Sequence, residues 1–299
     1  MLLECKPVRE AILKEVDEAL ENSNLNVCTR IIRVEGDKPS EVYVRGKVKT
    51  CEEHGIKSEV VLLPNDVTNE DLIAEIEKAN EDDNVTAILL QLPLPKHIDE
   101  YRAVNTIKPE KDVDGLTTLS VGKLFEGRED AIIPCTPYGI MNIFSHYNIP
   151  LRGKDVLIIN RSMLVGKPLV EVLQRANATV TLAHSKTKDL ILKMINADII
   201  ITAVGKKDFI SEELLATFND SCKFWGKDMY VIDVSINTNE SGRLCGDVQK
   251  RDSKDVDEQY EFINSLERVF VTPVPAGVGP LTTSSLATNT LQCHRLQNK

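Results

Sequence analysis

A tyrosine and a lysine stand four residues apart in the segment YVRGK, at Tyr43 and Lys47. The surrounding sequence predicts a helix that has Ser40 as its N-cap, Glu41 in its first turn and Gly55 at its end. Residues four apart share one helix face, so the ring and the amine are neighbours. This pair suits a flat heterocyclic substrate and a proton transfer. Taken alone, the pattern more commonly indicates only an exposed lysine beside a half-buried tyrosine, without a functional role.

Further polar residues lie at the end of a predicted strand and in a predicted turn. Gln91 closes the apolar run AILLQ, just before Pro93 stops the predicted strand. The carboxyl end of a parallel strand is where open α/β sheets bind ligands, and a buried amide there needs hydrogen-bond partners. Asp112 and Asp114 lie in the acidic turn PEKDVDGL, where they can also serve only to form the turn.

The segment DVLIINRSMLVGKPLVEVL predicts a strand, a tight turn and a helix, with Gly166 and Pro168 at the helix start. Such a turn points free backbone N–H groups and the helix dipole at a phosphate. Asn160 and Ser162 occupy the first two glycine positions of the usual dinucleotide-binding pattern. We expect Asn160 to tolerate left-handed backbone geometry there. Taken alone, the turn is also compatible with an ordinary strand–helix connection.

The end of the next predicted strand bears on the choice of nucleotide. The strand TVTLAH is followed by Ser185, Lys186 and Thr187, and no acidic residue occurs before Asp189. A domain that prefers NAD usually has Asp or Glu there to bind the ribose 2′-hydroxyl, whereas a 2′-phosphate needs cationic and hydroxyl partners. With Arg161 in the preceding turn, the pattern favours NADP over NAD. The lysines of this loop can also be no more than solvated surface residues.

These residues are distributed along 299 residues in which apolar runs alternate with helical patterns. The continuously apolar runs AILLQL, DVLIIN and ADIIITAV predict parallel strands that are covered by helices on both faces. Segments rich in proline and glycine predict domain boundaries near Pro134–Gly139 and Thr272–Gly279. We therefore predict an α/β fold of two domains. A last helix, at about Leu281–Gln297, is expected to return to the first domain.

Composition excludes several classes of protein. The net charge of -10 argues against broad nucleic-acid binding, which needs a basic surface. No run approaches the roughly 18 apolar residues of a membrane span. The N-terminal segment alternates acids and bases unlike a signal peptide, so a cytoplasmic location is expected. Seven cysteines without a CxxC pair and five histidines without an HExxH motif predict reduced thiols and no bound metal.

Eight segments in chain order resemble the methylenetetrahydrofolate dehydrogenase/cyclohydrolase family, and together they are far more specific than any one of them. They are YVRGK (43–47), QLPLP (91–95), PEKDVDG (109–115), PCTP (134–137), NRSMLVGKP (160–168), HSKT (184–187), GDV (246–248) and PVPAGVGP (273–280). The resemblance implies two α/β domains flanking a cleft. Residues 1–138 plus 280–299 are then the folate-binding catalytic domain, and residues 139–279 are a Rossmann-like NAD(P)-binding domain with a parallel sheet.

The resemblance also implies roles for individual residues. Lys47 matches the family's catalytic lysine, and Tyr43 matches the ring that stacks on the folate. Gln91 matches the residue that hydrogen-bonds the lysine, and Asp114 matches the carboxylate that holds the pterin. The other expected substrate contacts are Leu90, Leu92, Pro275, Ala276, Gly277, Val278 and Gly279. The expected cofactor contacts are Asn160, Arg161, Ser162, Ser185 and Ile236.

The implied activity is a two-step conversion in one-carbon metabolism. The enzyme oxidises 5,10-methylene-tetrahydrofolate to 5,10-methenyl-tetrahydrofolate with NADP, by positioning the hydride donor against the nicotinamide. It then hydrolyses the methenyl product to 10-formyl-tetrahydrofolate, which requires proton transfers that Lys47, held by Gln91, can provide. The implied partners are tetrahydrofolate derivatives and a second copy of the chain in a homodimer, with no metal.

Three positions differ from the commonest family pattern, since Asn160, Ser235 and Ala276 each replace a glycine. Asn160 also occurs in members that are NAD-dependent and lack the hydrolase. A monofunctional NAD-dependent methylenetetrahydrofolate dehydrogenase is therefore the alternative prediction, although the retained Lys47 disfavours it. An amino-acid or shikimate-type dehydrogenase would not account for YVRGK together with QLPLP. A non-catalytic binding regulator would not need Lys47, Gln91 and Asp114 together.

Overall fold

The computed structural model describes residues 1–23, 25–253 and 255–298. The chain divides into two compact units. We call Met1–Arg9 with Gly139–Leu281 the 139–281 unit, and Glu10–Tyr138 with Thr282–Lys299 the 10–138 unit. The sequence analysis assigned residues 1–9 to the first domain. In the structure they pack with the 139–281 unit, because the Leu3 N–H donates to the Val271 carbonyl and Leu2 forms a parallel bridge with Val271.

Helices and strands alternate through most of the described chain. The helices are α1 (Cys5–Ser23), α2 (Lys38–Glu53), α3 (Asn69–Glu81), α4 (Glu100–Thr106), α5 (Thr118–Phe125), α6 (Cys135–His146), α7 (Gly166–Arg175), α8 (Leu190–Asn196), α9 (Glu212–Trp225), α10 (Val256–Ser265) and α11 (Val278–Gln297). The strands are β1 (Cys28–Val34), β2 (Lys57–Leu63), β3 (Ala87–Leu90), β4 (Asp155–Ile159), β5 (Thr179–Ala183), β6 (Ile199–Thr202), β7 (Met229–Asp233), β8 (Asn237–Thr238), β9 (Leu244–Cys245) and β10 (Val269–Val271).

The 10–138 unit contains a parallel three-stranded sheet in the order β2-β1-β3. Ile31 and Ile32 on the central strand β1 are both fully buried, but they belong to separate hydrophobic clusters. Successive side chains of a strand point to opposite faces, so this sheet is covered on both sides. The buried residues Leu286 and Leu291 of α11 join one of these clusters, as expected for a C-terminal helix that returns to the first domain.

The helix that carries Tyr43 and Lys47 begins earlier than the sequence analysis predicts. Asp37 is the N-cap of α2, and its carboxylate accepts the Ser40 N–H at 2.8 Å. The prediction of Ser40 as the N-cap is therefore wrong, because the acidic side chain three residues earlier takes that role. Val44 and Cys51 lie on the buried face of α2.

The 139–281 unit contains five parallel strands in the order β10-β7-β6-β4-β5. Every residue of β6 is buried, which explains why its sequence is continuously apolar rather than alternating. From β4 the chain winds first to β5 and then, on the other side, to β6, so the strand order reverses between β4 and β6. Open α/β sheets bind ligands at the carboxyl ends of the strands next to such a reversal. The predicted Rossmann-like parallel sheet is confirmed.

Two further features of the fold concern its cysteines and its helices. All seven cysteines are buried free thiols. Among the helices that the structure describes, none combines the length and apolar character needed to cross a membrane.

Candidate active site

Helix α2 places a nearly enclosed amine beside the end of strand β3. The side chain of Lys47 is only 9% exposed, and its amine donates to Oε1 of Gln91 at 2.9 Å. Tyr43, one helical turn earlier, is 40% exposed. Its partial burial raises the pKa of the phenol, so Tyr43 is protonated at neutral pH. The α2 face therefore offers a ring surface and a proton-carrying group one turn apart.

Gln91 is held at both ends, so its oxygen has a defined direction. Its N–H donates to the Ile32 carbonyl at 2.9 Å, which continues the sheet one residue beyond β3. Its side-chain nitrogen donates to the Leu92 carbonyl at 2.6 Å, which leaves Oε1 for Lys47. Leu90 is buried at the end of β3 and Leu92 is half-buried beside Gln91.

The polar residues of the motif PEKDVDG have different contacts in the structure. The Lys111 amine donates to the carbonyls of Asn80 and Asp82, each at 2.9 Å, and so closes the end of α3. Asp112 is almost fully buried and accepts the Thr117 N–H at 2.8 Å. Burial raises the pKa of Asp112. Lys111 and Asp112 therefore serve the fold, whereas Asp114 is half-buried and is the residue of this motif that is expected to contact a ligand.

Cys135 lies near both Asp114 and Lys47. The sequence analysis did not select it as a site residue. Burial, followed by the neighbouring Asp114 carboxylate, holds the pKa of the Cys135 thiol well above its usual range. The positive charge of Lys47 acts on the same thiol in the opposite direction. The structure thus places Lys47, Gln91 and Asp114 around one region. The position of Cys135 within the motif PCTP was the feature of the sequence that could have identified it.

The turn after β4 is organised by the side chain of Asn160. Its Oδ1 accepts the N–H groups of Ser162 at 2.8 Å and Gly166 at 3.2 Å, and its Nδ2 donates to the Ala203 carbonyl at 2.8 Å. Asn160 is absent from the residues with positive φ in the described part of the chain, so the turn does not use the left-handed geometry that Asn tolerates. Its side chain joins the loops after β4 and β6, where the strand order reverses.

The backbone N–H groups at the start of α7 are already hydrogen-bonded to the preceding turn. The Val165 N–H donates to Ser162 Oγ, the Lys167 N–H donates to the Ser162 carbonyl, and Asn160 takes the Gly166 N–H. A Cβ on Gly166 would lie 2.2 Å from the Asn160 carbonyl oxygen, so this close approach requires glycine. These amides are not free to receive a phosphate, contrary to the sequence-based expectation. The helix dipole, the Ser162 hydroxyl hydrogen and the exposed Arg161 remain for that purpose.

The turn after β5 presents cationic and hydroxyl groups. The His184 N–H donates to Thr187 Oγ1 at 2.9 Å and the Thr187 N–H donates to the His184 carbonyl at 2.8 Å, which closes a tight turn. Ser185 and Lys186 project from it as exposed side chains. Together with Arg161, this donor set fits a ribose 2′-phosphate and offers no carboxylate for a 2′-hydroxyl until Asp189.

Ser235 and Ile236 follow β7 at the same edge of the sheet. Ser235 Oγ accepts the Gly205 N–H at 3.0 Å, which joins the loops after β6 and β7. The buried Asp233 accepts the N–H groups of Ser235 and Val248 at 3.1 and 2.8 Å. Ile236 is partly exposed, and its Cδ1 would lie 3.2 Å from a Cβ added to Gly279. One expected cofactor contact therefore adjoins the end of the expected folate loop.

The loop Pro275–Gly279, which is expected to contact the folate, has a constrained backbone. Pro275 and Ala276 are exposed, whereas Gly277 and Val278 are buried. Ala276 has φ of 68°, a conformation that is unusual for a residue with a side chain. A Cβ on Gly277 would lie 2.0 Å from the Pro273 carbonyl oxygen, so only glycine fits.

No group of three or more His, Cys, Asp or Glu residues that could hold a metal ion occurs within residues 1–23, 25–253 and 255–298. The 10–138 unit offers an amine, an amide, a phenol and a carboxylate, and the 139–281 unit contains a nucleotide-binding type of sheet. These groups suit proton transfer and hydride transfer at a heterocycle. The fold and the site together define a two-unit α/β protein of the dinucleotide-dependent oxidoreductase class.

Comparisons with known proteins identify the family. Residues 3–114 match the family model "Tetrahydrofolate dehydrogenase/cyclohydrolase, catalytic domain", and residues 134–298 match its "NAD(P)-binding domain". The "Bifunctional protein FolD" of Methanoculleus marisnigri is 39% identical over 297 residues, which covers 99% of this chain and 97% of that protein. The chain belongs to the tetrahydrofolate dehydrogenase/cyclohydrolase family.

Two solved structures support the same assignment. The bifunctional FolD methylenetetrahydrofolate dehydrogenase/cyclohydrolase of Campylobacter jejuni has a TM-score of 0.85 and 38% identity, covering 100% of this chain and 99% of that chain. The Trypanosoma brucei methylenetetrahydrofolate dehydrogenase-cyclohydrolase, complexed with NADP and an inhibitor, has a TM-score of 0.85 and 31% identity. That match covers 100% of this chain and 98% of the T. brucei chain.

Proposed function

We propose that this enzyme oxidises 5,10-methylene-tetrahydrofolate with NADP and then hydrolyses the methenyl product to 10-formyl-tetrahydrofolate. The observation that carries the proposal is the hydrogen bond from the nearly enclosed Lys47 amine to Gln91 Oε1 at 2.9 Å. A dehydrogenase alone needs a hydride acceptor and positioning, whereas hydrolysis also needs a group that moves protons. A buried lysine with a fixed neutral partner supplies such a group.

The proposed roles of the site residues follow from their chemistry. Tyr43 stacks its exposed ring on the folate, and Asp114 accepts hydrogen bonds from the pterin. Lys47 transfers protons when water adds to the methenyl carbon and when the ring opens, while Gln91 keeps its amine in place. Leu90 and Leu92 flank Gln91, and Pro275, Ala276, Gly277, Val278 and Gly279 line the folate site. The bound nicotinamide supplies the hydride acceptor.

The proposed cofactor is NADP rather than NAD. Arg161, Ser185 and Lys186 are exposed donors at the ends of β4 and β5, and they suit a 2′-phosphate. Asn160 and Ser162 shape the turn that faces the diphosphate, and Ile236 contacts the nicotinamide end. Replacing Arg161 with Ala is expected to raise KM for NADP about 10-fold or more, as the loss of a charge-assisted hydrogen bond to phosphate predicts, with little effect on NAD.

We also propose that the enzyme acts in the cytoplasm as a homodimer, as the family resemblance implies. Its net charge of -10 argues against nucleic acid as a ligand. Analytical ultracentrifugation of the purified protein is expected to give twice the mass of one chain. A single species with the mass of one chain would contradict the homodimer.

A spectrophotometric assay tests the proposed reactions directly. Methylene-tetrahydrofolate is supplied in parallel with NADP and with NAD, while reduced nucleotide and methenyl-tetrahydrofolate are followed in the same cuvette. We expect faster reduction of NADP and a methenyl intermediate that disappears faster than it does without enzyme. Accumulating methenyl product with NAD as the better oxidant would support a monofunctional NAD-dependent dehydrogenase instead.

A further inference from the structure

Two side chains of the 139–281 unit hold the backbone of Val274, the residue directly before the loop Pro275–Gly279. The Tyr260 hydroxyl donates to the Val274 carbonyl at 2.9 Å and accepts the Val274 N–H at 3.0 Å. The Lys250 amine donates to the same carbonyl at 2.5 Å. We call Lys250 and Tyr260 the Val274 clamp.

The clamp is itself fixed by neighbouring groups. The Lys250 amine also donates to Gln259 Oε1 at 2.9 Å and lies 5.3 Å from the centre of the Tyr260 ring. Tyr260 is only 5% exposed on α10, and Lys250 is half-buried. A partly desolvated amine near an aromatic face and a carbonyl keeps a defined position, because leaving it would cost both interactions.

The loop beyond Val274 needs such support. Ala276 is held at φ of 68°, where the Cβ of an ordinary residue is crowded. A residue in this conformation persists only where its surroundings impose it. Pro275 and Ala276 are exposed, so packing of their own side chains does not supply the constraint. The bonds to both backbone groups of Val274 supply it from one side, and the close approach of Gly277 to Pro273 supplies it from the other.

We propose that Lys250 and Tyr260 are positioning residues that hold the loop Pro275–Gly279 in the shape that binds the folate substrate. This inference rests on the proposed function, which assigns the loop to the folate site. The two side chains act through the Val274 backbone. When the clamp is removed, Ala276 relaxes toward negative φ, and binding of the folate weakens while binding of the nucleotide is retained.

Steady-state kinetics of Lys250→Met, Lys250→Arg and Tyr260→Phe test the proposal. Lys250→Met is expected to raise KM for methylene-tetrahydrofolate about 10-fold, as the loss of one charge-assisted hydrogen bond predicts, with KM for NADP unchanged within about two-fold. Lys250→Arg retains a donor and should recover most of the folate affinity. The matched control is Lys223→Met, since Lys223 lies at the end of α9 and pairs with the exposed Glu267. We expect that control to behave as the wild type.

The Ala276→Gly background separates positioning from general stability. Glycine adopts positive φ without strain, so the loop keeps its shape more readily when the clamp is absent. Lys250→Met is therefore expected to raise the folate KM only about 3-fold in that background, compared with about 10-fold in the wild type. A purely structural lysine would lower Tm in both backgrounds without this coupling.

Three results would overturn the proposal. They are an unchanged folate KM in a destabilised Lys250→Met variant, an equal rise of the folate and NADP KM values, or the same effect in both Ala276 backgrounds. Tyr260→Phe keeps the ring in the core and serves if Lys250→Met does not fold, since it should show the same selective rise in folate KM. Failure of the proposed function is distinct, because the wild-type enzyme would then not reduce NADP with methylene-tetrahydrofolate.

Discussion

At the scale of single residues, the partner of Lys47 determines what its amine can do. A buried lysine paired with a carboxylate would hold its proton in an ion pair, whereas Lys47 donates to the neutral amide of Gln91. A neutral acceptor orients the amine without pairing it with a negative charge. A proton can then pass between the amine and a reacting group with less electrostatic cost.

Replacing Lys47 with Met is expected to reduce methenyl-tetrahydrofolate hydrolysis by about 100-fold or more, because a positioned acid–base group contributes that much. The fold should survive, since Met preserves the length and the apolar stem. The control is Lys49→Met on the same helix, where the lysine is exposed and pairs only with Glu53 among its described ion-pair partners. Hydrolysis is followed as the decay of the methenyl compound. Full activity of Lys47→Met would refute the role of this amine.

Ala276 carries a local conformational cost that glycine would remove. Replacing Ala276 with Gly is expected to stabilise the folded protein by about 0.5–1 kcal/mol, because relief at positive φ exceeds the added entropy of the unfolded chain. The matched control is Ala74→Gly on the exposed face of α3, where glycine should cost about 1 kcal/mol. Urea unfolding measures both. Changes of the same sign would contradict the interpretation.

At the scale of elements, helix caps decide where functional side chains stand. Asp37 begins α2 and thereby sets the helix that bears Tyr43 and Lys47, while Thr68 begins α3 in the same way. The Thr68 hydroxyl accepts the Asp71 N–H at 3.1 Å. These two caps therefore offer a comparison between a helix of the site and a helix that carries no predicted site residue.

Asp37→Ala and Thr68→Ala are each expected to lower the free energy of unfolding by about 1 kcal/mol, which is typical for loss of an N-cap. Only Asp37→Ala should also lower the rate of methenyl hydrolysis, because it loosens the first turn before Tyr43. Denaturation and the hydrolysis assay are run on both variants. An equal activity loss in Thr68→Ala would indicate that the effect comes from stability alone.

The end of β7 contains a carboxyl group with an unusual acidity. Burial raises the pKa of Asp233 to about 7 from the ordinary value of 3.8. Because the folded-state pKa lies above the unfolded-state value, the folded protein binds a proton that the unfolded chain lacks between these pH values. The stability that this group contributes is therefore present at low pH and decreases as the pH rises through 7.

The expected measurement compares wild type with Asp233→Asn, which cannot titrate at this position. The free energy of unfolding of wild type minus that of the variant should decrease between about pH 5 and pH 7.5. Overall stability of the variant should be lower, since an amide nitrogen replaces one acceptor of the backbone N–H groups. A difference that grows with pH would show that the carboxyl pKa is not raised in the folded state.

At the scale of the whole molecule, the predicted cofactor residues and the predicted proton-transfer residues belong to different compact units. The five predicted cofactor residues all belong to the 139–281 unit, and Tyr43, Lys47, Gln91 and Asp114 all belong to the 10–138 unit. The elements that position the two sets are therefore stabilised by separate hydrophobic clusters. A nucleotide that binds one unit should increase the protection of that unit first.

NADP at 100 times its dissociation constant is expected to stabilise the protein by about 2.7 kcal/mol through preferential binding to the folded state. Hydrogen exchange should slow mainly in the loops after β4, β5 and β7. NAD at the same concentration should have a smaller effect, because it lacks the 2′-phosphate. Stronger protection within residues 10–138 than within residues 139–281 would contradict the assignment of the nucleotide site.

The sequence by itself determined the elements, the parallel α/β fold and the family. Strand β1 and the C-terminal end of α2 illustrate this, because apolar runs and turn residues act over a few neighbouring positions. The eight ordered motifs also indicated Lys47, Gln91 and Asp114.

Only the tertiary structure decided which of these groups meet. It brought Lys47 to Gln91, placed the thiol of Cys135 beside Asp114, occupied the α7 amides with Asn160 and Ser162, and fixed Val274 with Lys250 and Tyr260. Contacts of this kind join residues that are distant in the chain. They depend on how helices and strands pack and on which donors remain unsatisfied after packing, and no local pattern contains that information.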